Sequence, residues 1–177
     1  MKGLLASALG ALLLGASGPL LPTGLPLDDG PDPYARVVAR MVRGIVQYSR
    51  WPNDPRRLTA CIVGPTDHAE ALIEGKEVGA VGVTSVQRST ENVSPLDCDI
   101  VYLGRLSLEE QRQIIARMRG EAVLTIAEND PACRSRAMFC LLFEAEALSF
   151  RLNIDAVANS KVRVDPRVLR LGAGGQQ

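Results

Sequence analysis

The sequence predicts an α/β fold: a single-domain α/β sandwich whose central sheet is mainly parallel, with an antiparallel hairpin at one edge. Three observations carry that expectation. Helix-period segments alternate with short apolar runs along the chain, the pattern of strands and crossover helices. The central runs, Leu58–Val63 and Asp99–Leu103, are apolar apart from Thr59 and the leading Asp99, as strands covered on both faces are. The last two runs, Met138–Phe143 and Leu148–Leu152, are separated by so few residues that they pair as a hairpin. A length of 177 residues suits one such domain.

The N-terminus reads as an export signal. Lys2 precedes a run from Gly3 to Ala16 that is almost wholly Leu, Ala and Gly. The run matches the apolar core of a signal peptide and falls short of the roughly 20 residues that cross a bilayer. Small residues from Gly15 to Gly18 supply cleavage chemistry, and no Cys follows to accept a lipid. Residues 1–18 are therefore expected to be a signal peptide and the Pro/Gly-rich residues 19–33 a linker. The folded domain is expected over 34–172, with a disordered tail at 173–177.

Tyr34–Arg50 follows as an amphipathic helix. Val37, Val38, Met41, Ile45 and Tyr48 share one side at helical spacing, and Arg36, Arg40, Arg43 and Arg50 share another. Pro52 prevents continuation. Gly64-Pro65 closes the strand Leu58–Val63, and Asp67 with Glu70 three positions on predicts a capped short helix to about Glu74. Val81–Val86 reads as a strand. Ser107 and Glu110 form a second capping-box pattern before a helix through Met118, with Ile114, Ile115 and Met118 inward and Gly120 as its stop. Ala122–Ala127 is a strand, separated from Met138–Phe143 by the polar loop Glu128–Arg136. A short helix is expected at Ile154–Ala158, and another begins at Asp165-Pro166 and ends at Gly172.

Composition narrows function. Twenty basic residues balance twenty acidic ones and aromatics are only 4%, so neither field nor stacking platform favours nucleic acid. No catalytic, cofactor-binding or metal-ligating set is found. The one histidine, His68, lies in a polar helix start, reads as a surface residue, and has no Gly-x-Ser-x-Gly elbow to accompany it. One His and no Cys-x-x-Cys argue against zinc and thioredoxin-like chemistry. Gly75-Lys76-Glu77 lacks the rest of a phosphate loop. The Gly64–Asp67 turn could cradle an anion at a helix start, a context common to α/β proteins. Asp97 and Asp99, around Cys98, read as caps of a strand start rather than as a carboxylate pair. The arginine stripe reads as a solvated face or as a contact for an acidic partner. Trp51 reads as packing under the first helix or as an interface anchor.

Four cysteines, Cys61, Cys98, Cys133 and Cys140, are an even number in an exported chain and read as disulfides. Three pairings are open. The seven-residue separation of Cys133 and Cys140 favours a local bridge, leaving Cys61 with Cys98.

Met41-Val-Arg-Gly-Ile-Val-Gln-Tyr-Ser-Arg-Trp-Pro52, then Leu58–Gly64 with its cysteine, resembles the opening of YfiR-family proteins. So do Leu124-Thr-Ile-Ala-Glu128, the Cys133 to Cys140 spacing within Ala137-Met-Phe-Cys-Leu-Leu142, Phe150-Arg-Leu-Asn-Ile-Asp155 and Val162–Leu171. The resemblance spans Tyr34–Leu171 and is specific in the order and spacing of these segments. It implies a periplasmic, homodimeric repressor that binds the periplasmic portion of a membrane diguanylate cyclase of the YfiN type, lowering cyclic-di-GMP output and biofilm formation. It also implies sequestration of the repressor by an outer-membrane lipoprotein of the YfiB type. The family's bridges map onto Cys133–Cys140 and, with more variation, onto Cys61–Cys98, so that redox state could set stability. Neither cofactor nor membrane insertion of the mature chain is implied. The interface expected from the residues comprises Arg36, Arg40, Arg43, Arg50 and Trp51. The alternative is a periplasmic small-molecule receptor with a crevice near Gly64 and Gly104; an enzyme ranks last.

Overall fold

A computed structural model describes residues 24–75 and 82–172. The expected signal peptide, the first part of the linker and the tail from 173 lie outside these residues, as do Lys76, Glu77 and Val81.

The fold is a mixed α/β sandwich. In chain order it runs β1 (Leu25–Pro26), α1 (Ala35–Gln47), β2 (Ser49–Arg50), β3 (Arg57–Val63), α2 (Glu70–Glu74), β4 (Gly82–Arg88), β5 (Ile100–Leu103) and α3 (Leu108–Met118). It continues with β6 (Leu124–Ala127), β7 (Phe139–Glu144), β8 (Ala147–Leu152), α4 (Ile154–Ala158), β9 (Arg163–Val164), a 3-10 turn at Pro166–Val168 and α5 (Leu169–Gly172). A seven-stranded sheet has the order β1-β8-β7-β6-β5-β3-β4, and β2 pairs with β9 in a separate ribbon. Strands β3 to β7 run parallel; β8 is antiparallel to both β7 and β1.

The pleat sorts the core into two layers. Ile100 and Tyr102 of β5 point into the larger core under α1, whose Val37, Val38, Met41, Val42 and Ile45 are fully buried. Val101 and Leu103 point the other way, into the cluster of Ile114 and Met118 on α3 with the Cys61 and Cys98 side chains. This alternation is the two-residue period of an extended strand covered on both faces.

Local signals explain most boundaries. The Ser107 hydroxyl accepts the Glu110 N–H at 3.2 Å while the Glu110 carboxylate accepts the Ser107 N–H at 2.9 Å, a complete capping box. Helix α1 stops at Gln47 rather than near Arg50, because Ser49 and Arg50 leave it to pair with Val164 and Arg163. Asp67 does not cap α2. The helix starts after Ala69 with no side-chain cap, and Asp67 instead holds Arg105 at 2.9 Å. Residues 24–33, expected to be linker, are folded onto the domain: Leu25 and Pro26 pair with Leu148 and Ala147, and Leu25 and Leu27 pack on the larger core.

Strand β3 has β4 on one side and β5 on the other, so the chain changes direction across the sheet between β3 and β5. In open α/β sheets the crevice beyond such strand ends is the usual ligand site. Here it is closed. The Pro65 carbonyl accepts the Arg105 N–H at 2.6 Å and lies against Gly104, where a Cβ would collide with it. Gly104→Ala is expected to lower stability by about 1–3 kcal/mol, the usual range for forced overpacking. The midpoint of denaturant unfolding checks it, and an unchanged midpoint would mean that the two loops separate at no cost.

Candidate functional site

Strands β6 and β7 are parallel neighbours, yet the chain between them, residues 128–138, contains no helix. Parallel connections usually need a dozen or more residues and a helix to cross over. The loop that replaces the helix must be held by its own polar groups, and three devices hold it.

Glu128 anchors the start. It is 2% exposed, and its carboxylate accepts the N–H groups of His68 at 2.8 Å and Asp67 at 3.0 Å. Burial raises its pKa above the usual 4.5, and the two N–H donors only partly oppose that. The buried Tyr102 hydroxyl has no hydrogen-bond partner in good geometry but lies near enough to Glu128 for burial and the carboxylate together to raise its pKa well above 10. The turn expected to cradle an anion is therefore filled by the chain's own carboxylate. With the Gly104 contact, this removes the crevice that a small-molecule receptor would use at Gly64 and Gly104.

Asp130 secures the middle of the loop. Its carboxylate accepts the N–H of Arg134 at 3.0 Å and of Ser135 at 2.6 Å. Burial pushes its pKa up, but the bonds to Ser135 and Arg134 outweigh that and hold it below the usual value. The Cys133–Cys140 bridge then ties the loop to β7, with the Cα atoms 5.5 Å apart. Cys133 and Arg136 take positive φ angles of 54° and 68°, which non-glycine residues adopt only when surrounding contacts enforce it. Thr125 accepts the Met138 N–H at 2.9 Å and closes the loop onto β6. The second bridge, Cys61–Cys98, joins β3 to the segment before β5 inside the smaller core.

This braced loop forms one wall of a groove of about 1010 Å³; α3 and α4 form the others. Met118 and Met138 contribute apolar surface, and Arg112, Arg119, Arg136 and Asp155 contribute charge. Among the described residues, none of the three arginines has a carboxylate within ion-pair distance. Ile154, beside the groove on α4, is 73% exposed. A concave surface with apolar lining, an exposed apolar neighbour and unneutralised positive charge suits a protein segment better than a metal or a reacting substrate.

The interface residues expected from the sequence separate. Arg36 and Arg40 are both engaged by Asp28, at 3.2 and 2.8 Å, whose carboxyl pKa they depress. Arg43 stays exposed. Arg50 donates to the Gln47 and Ser49 carbonyls and lines a second groove with Lys161 and Arg163. Trp51 is not an exposed anchor: it is 9% exposed within the larger core, where its indole N–H donates to the Asp99 carbonyl at 3.3 Å. Asp99 receives the Thr59 N–H at 2.8 Å and orders the start of β5 against β3, while Asp97 is exposed. His68 is more engaged than a bare surface residue; its Nδ1 meets the Asp32 carboxylate at 3.0 Å and its ring forms a three-ring cluster with Tyr34 and Phe143, which also touch each other. Glu128 is not legible in the sequence because its partners lie some sixty residues away, and the groove arginines because the groove is assembled from separate elements; Asp130 acts locally, on Arg134 and Ser135, but carries no standard turn or cap signature. Only the run of polar residues around Cys133 hinted at them.

Among the described residues, no group of three His, Cys, Asp or Glu could hold a metal ion, and no helix is long and apolar enough to cross a membrane. The YfiR/HmsC-like family model matches residues 35–173. The chain belongs to this family. Its members are regulatory proteins.

Two outcomes test the braced loop. Replacing Cys133 and Cys140 together by Ser should lower stability by about 2.5 kcal/mol on the loop-entropy model, measured by denaturant unfolding. Glu128 has a folded pKa raised above 4.5, so its contribution is fully present below pH 4.5 and is lost as pH rises through the folded value. Glu128→Gln should therefore flatten the decline of stability with rising pH just above 4.5, whatever its effect on absolute stability. Parallel pH profiles for the two chains would refute the buried, protonating Glu128.

Proposed function

We propose that this chain is a periplasmic repressor that binds the periplasmic portion of an inner-membrane diguanylate cyclase and keeps cyclic-di-GMP synthesis, and with it biofilm formation, low. Membership of the YfiR/HmsC-like family over residues 35–173 is the observation that carries this reading. Two disulfides in one small domain fit an oxidising compartment such as the periplasm. A homodimer is the proposed working form, and an outer-membrane lipoprotein is the proposed sequestering partner.

Repression requires differential affinity, since a ligand that binds both cyclase conformations equally shifts neither. To move a cyclase from mostly active to mostly inactive, the inactive form must be bound about 10⁴-fold more tightly. A rigid binding surface helps, because ordering a mobile loop on association offsets part of the binding energy. The loop 128–138 is ordered in advance by Glu128, Asp130 and the Cys133–Cys140 bridge. The groove beside it, with Arg119 and Arg136 unneutralised, is the proposed contact for the cyclase.

Titration calorimetry of the purified chain with the periplasmic portion of an inner-membrane diguanylate cyclase from the same cell should give micromolar or tighter binding. Arg119→Glu with Arg136→Glu should weaken it by tenfold or more, and loss of the chain should raise cellular cyclic-di-GMP. No detectable association with that cyclase would overturn the reading.

A further inference from the structure

Residues 24–34 cross the end of the sandwich as a strap that is held in the way a bound peptide is held. Leu25 and Pro26 add to the outer edge of β8 at Leu148 and Ala147, and Gly24, at φ 125°, lies so close under the Leu148 carbonyl that a Cβ would stand 2.7 Å from its oxygen. Leu25 and Leu27 pack on the larger core. Asp28 accepts from Arg40 at 2.8 and 3.0 Å and from Arg36 at 3.2 Å. The Pro26 and Asp29 carbonyls take a further bond from each guanidinium, at 3.1 and 3.0 Å. Asp32 meets His68, and the Tyr34 hydroxyl donates to the Glu144 carbonyl at 2.7 Å. The seated sequence, Leu25-Pro-Leu-Asp-Asp-Gly-Pro-Asp-Pro33, enters as a strand at Leu25–Pro26 and then bends back, with the Asp28 N–H donating to the Pro33 carbonyl at 3.3 Å; it is acidic, and apolar at two points.

The strap's hold is weak by construction. Its ladder with β8 is two residues long, and its ion pairs are partly solvated, with the Arg36 side chain 68% exposed. Exposed pairs of this kind contribute little to stability. Strand β8 continues to Leu152, and among the described residues its outer edge beyond Leu148 has no neighbour. An edge of unpaired backbone groups beside a basic face is a template for another strand.

We propose that the surface beneath the strap is a docking site for an extended acidic segment of a partner protein, which adds to β8 and sets carboxylates on Arg36, Arg40 and His68, and that the strap is its stand-in within the chain. This rests on the reading of the chain as a protein-binding regulator and assigns part of its arginine stripe to a specific chemistry. Among the described residues the outer edge of β8 from Ser149 onward is unpaired, and a partner segment can add there. A tethered strap competes at an effective concentration on the order of millimolar, so it lowers the affinity of an incoming segment without abolishing it.

The test uses the full chain and a fluorescein-labelled synthetic peptide with the sequence of Gly24–Pro33. Fluorescence anisotropy should show the peptide binding Asp28→Asn/Asp32→Asn at least tenfold more tightly than wild type, because the variant's own strap is loosened. Adding Arg36→Ala and Arg40→Ala to that variant should abolish the gain. Equal binding to wild type and variant, or a gain that survives loss of the arginines, overturns the proposal. Concentration-dependent dimerisation of the variant through its released straps would give the surface to a second copy and overturn the partner assignment. Should the variant fold poorly, hydrogen exchange of wild type decides: strap amides should exchange at least a hundredfold faster than those of β7, and equal protection rules out displacement. The cyclase takes no part in these measurements, so their failure leaves the repressor reading standing, and failure of cyclase binding leaves the peptide result standing.

Discussion

The constraint that organises this molecule is the connection between β6 and β7. Two parallel strands lie side by side in the middle of a sheet, and the chain returns from one to the other without a helix to cover the crossing. A bare loop there would leave buried N–H groups without partners, at about 1–3 kcal/mol each. Two carboxylates answer that need, Glu128 for the neighbouring loop after β3 and Asp130 for the crossing loop itself. The Cys133–Cys140 bridge then fixes what hydrogen bonds alone would leave free to open. Because Glu128 reaches across to Asp67 and His68, the crossing also closes the crevice beyond β3 and β5. A fold class that commonly binds small molecules at that place has had the place filled from within.

Closing the strand ends moves the available chemistry outward. What remains exposed are arginines and a few apolar side chains on the rims, and they fall into two sets. Arg112, Arg119 and Arg136 stand in the groove beside the braced loop without a carboxylate partner among the described residues. Arg36 and Arg40 are satisfied by Asp28 from a strap that forms the outermost edge of the sheet. A chain with zero formal net charge can thus present one positive surface openly and keep another covered. Net charge speaks to solubility and long-range attraction; the local pairing decides which face a partner meets.

The parts legible in the sequence are those set by neighbours in the chain. The Ser107–Glu110 box, the hairpin of β7 and β8, the helix Ile154–Ala158 and the buried face of α1 all follow from residues a few positions apart, and their side chains lie where that spacing puts them. Asp67 shows where such reading fails. Its pattern with Glu70 is a good local cap, but the helix starts later, after Ala69; Glu128, some sixty residues on, takes the Asp67 and His68 N–H groups, and the Asp67 side chain pairs with Arg105. The strap was hidden for a related reason: Pro and Gly marked it as a linker, and nothing local says that Asp28 will meet Arg40. Trp51 was ambiguous because one large aromatic can serve a core or an interface equally well until its neighbours are known.

The two bridges carry different consequences for regulation. Cys61–Cys98 lies within the smaller core, where Cys61 is fully buried and Cys98 nearly so, and its contribution is to the stability of the domain. Cys133–Cys140 ties a half-buried loop residue to a strand, beside a groove, with Cys133 itself and Arg136 within the bridged segment at positive φ. Opening the second would release strain at Cys133 and Arg136 while Glu128 and Asp130 still held the ends of the loop. The domain would survive with one wall of its groove loosened. A surface that works by preferring one conformation of its partner loses more from such loosening than a stability measurement reveals, because the ordering of the wall must then be supplied by the binding itself.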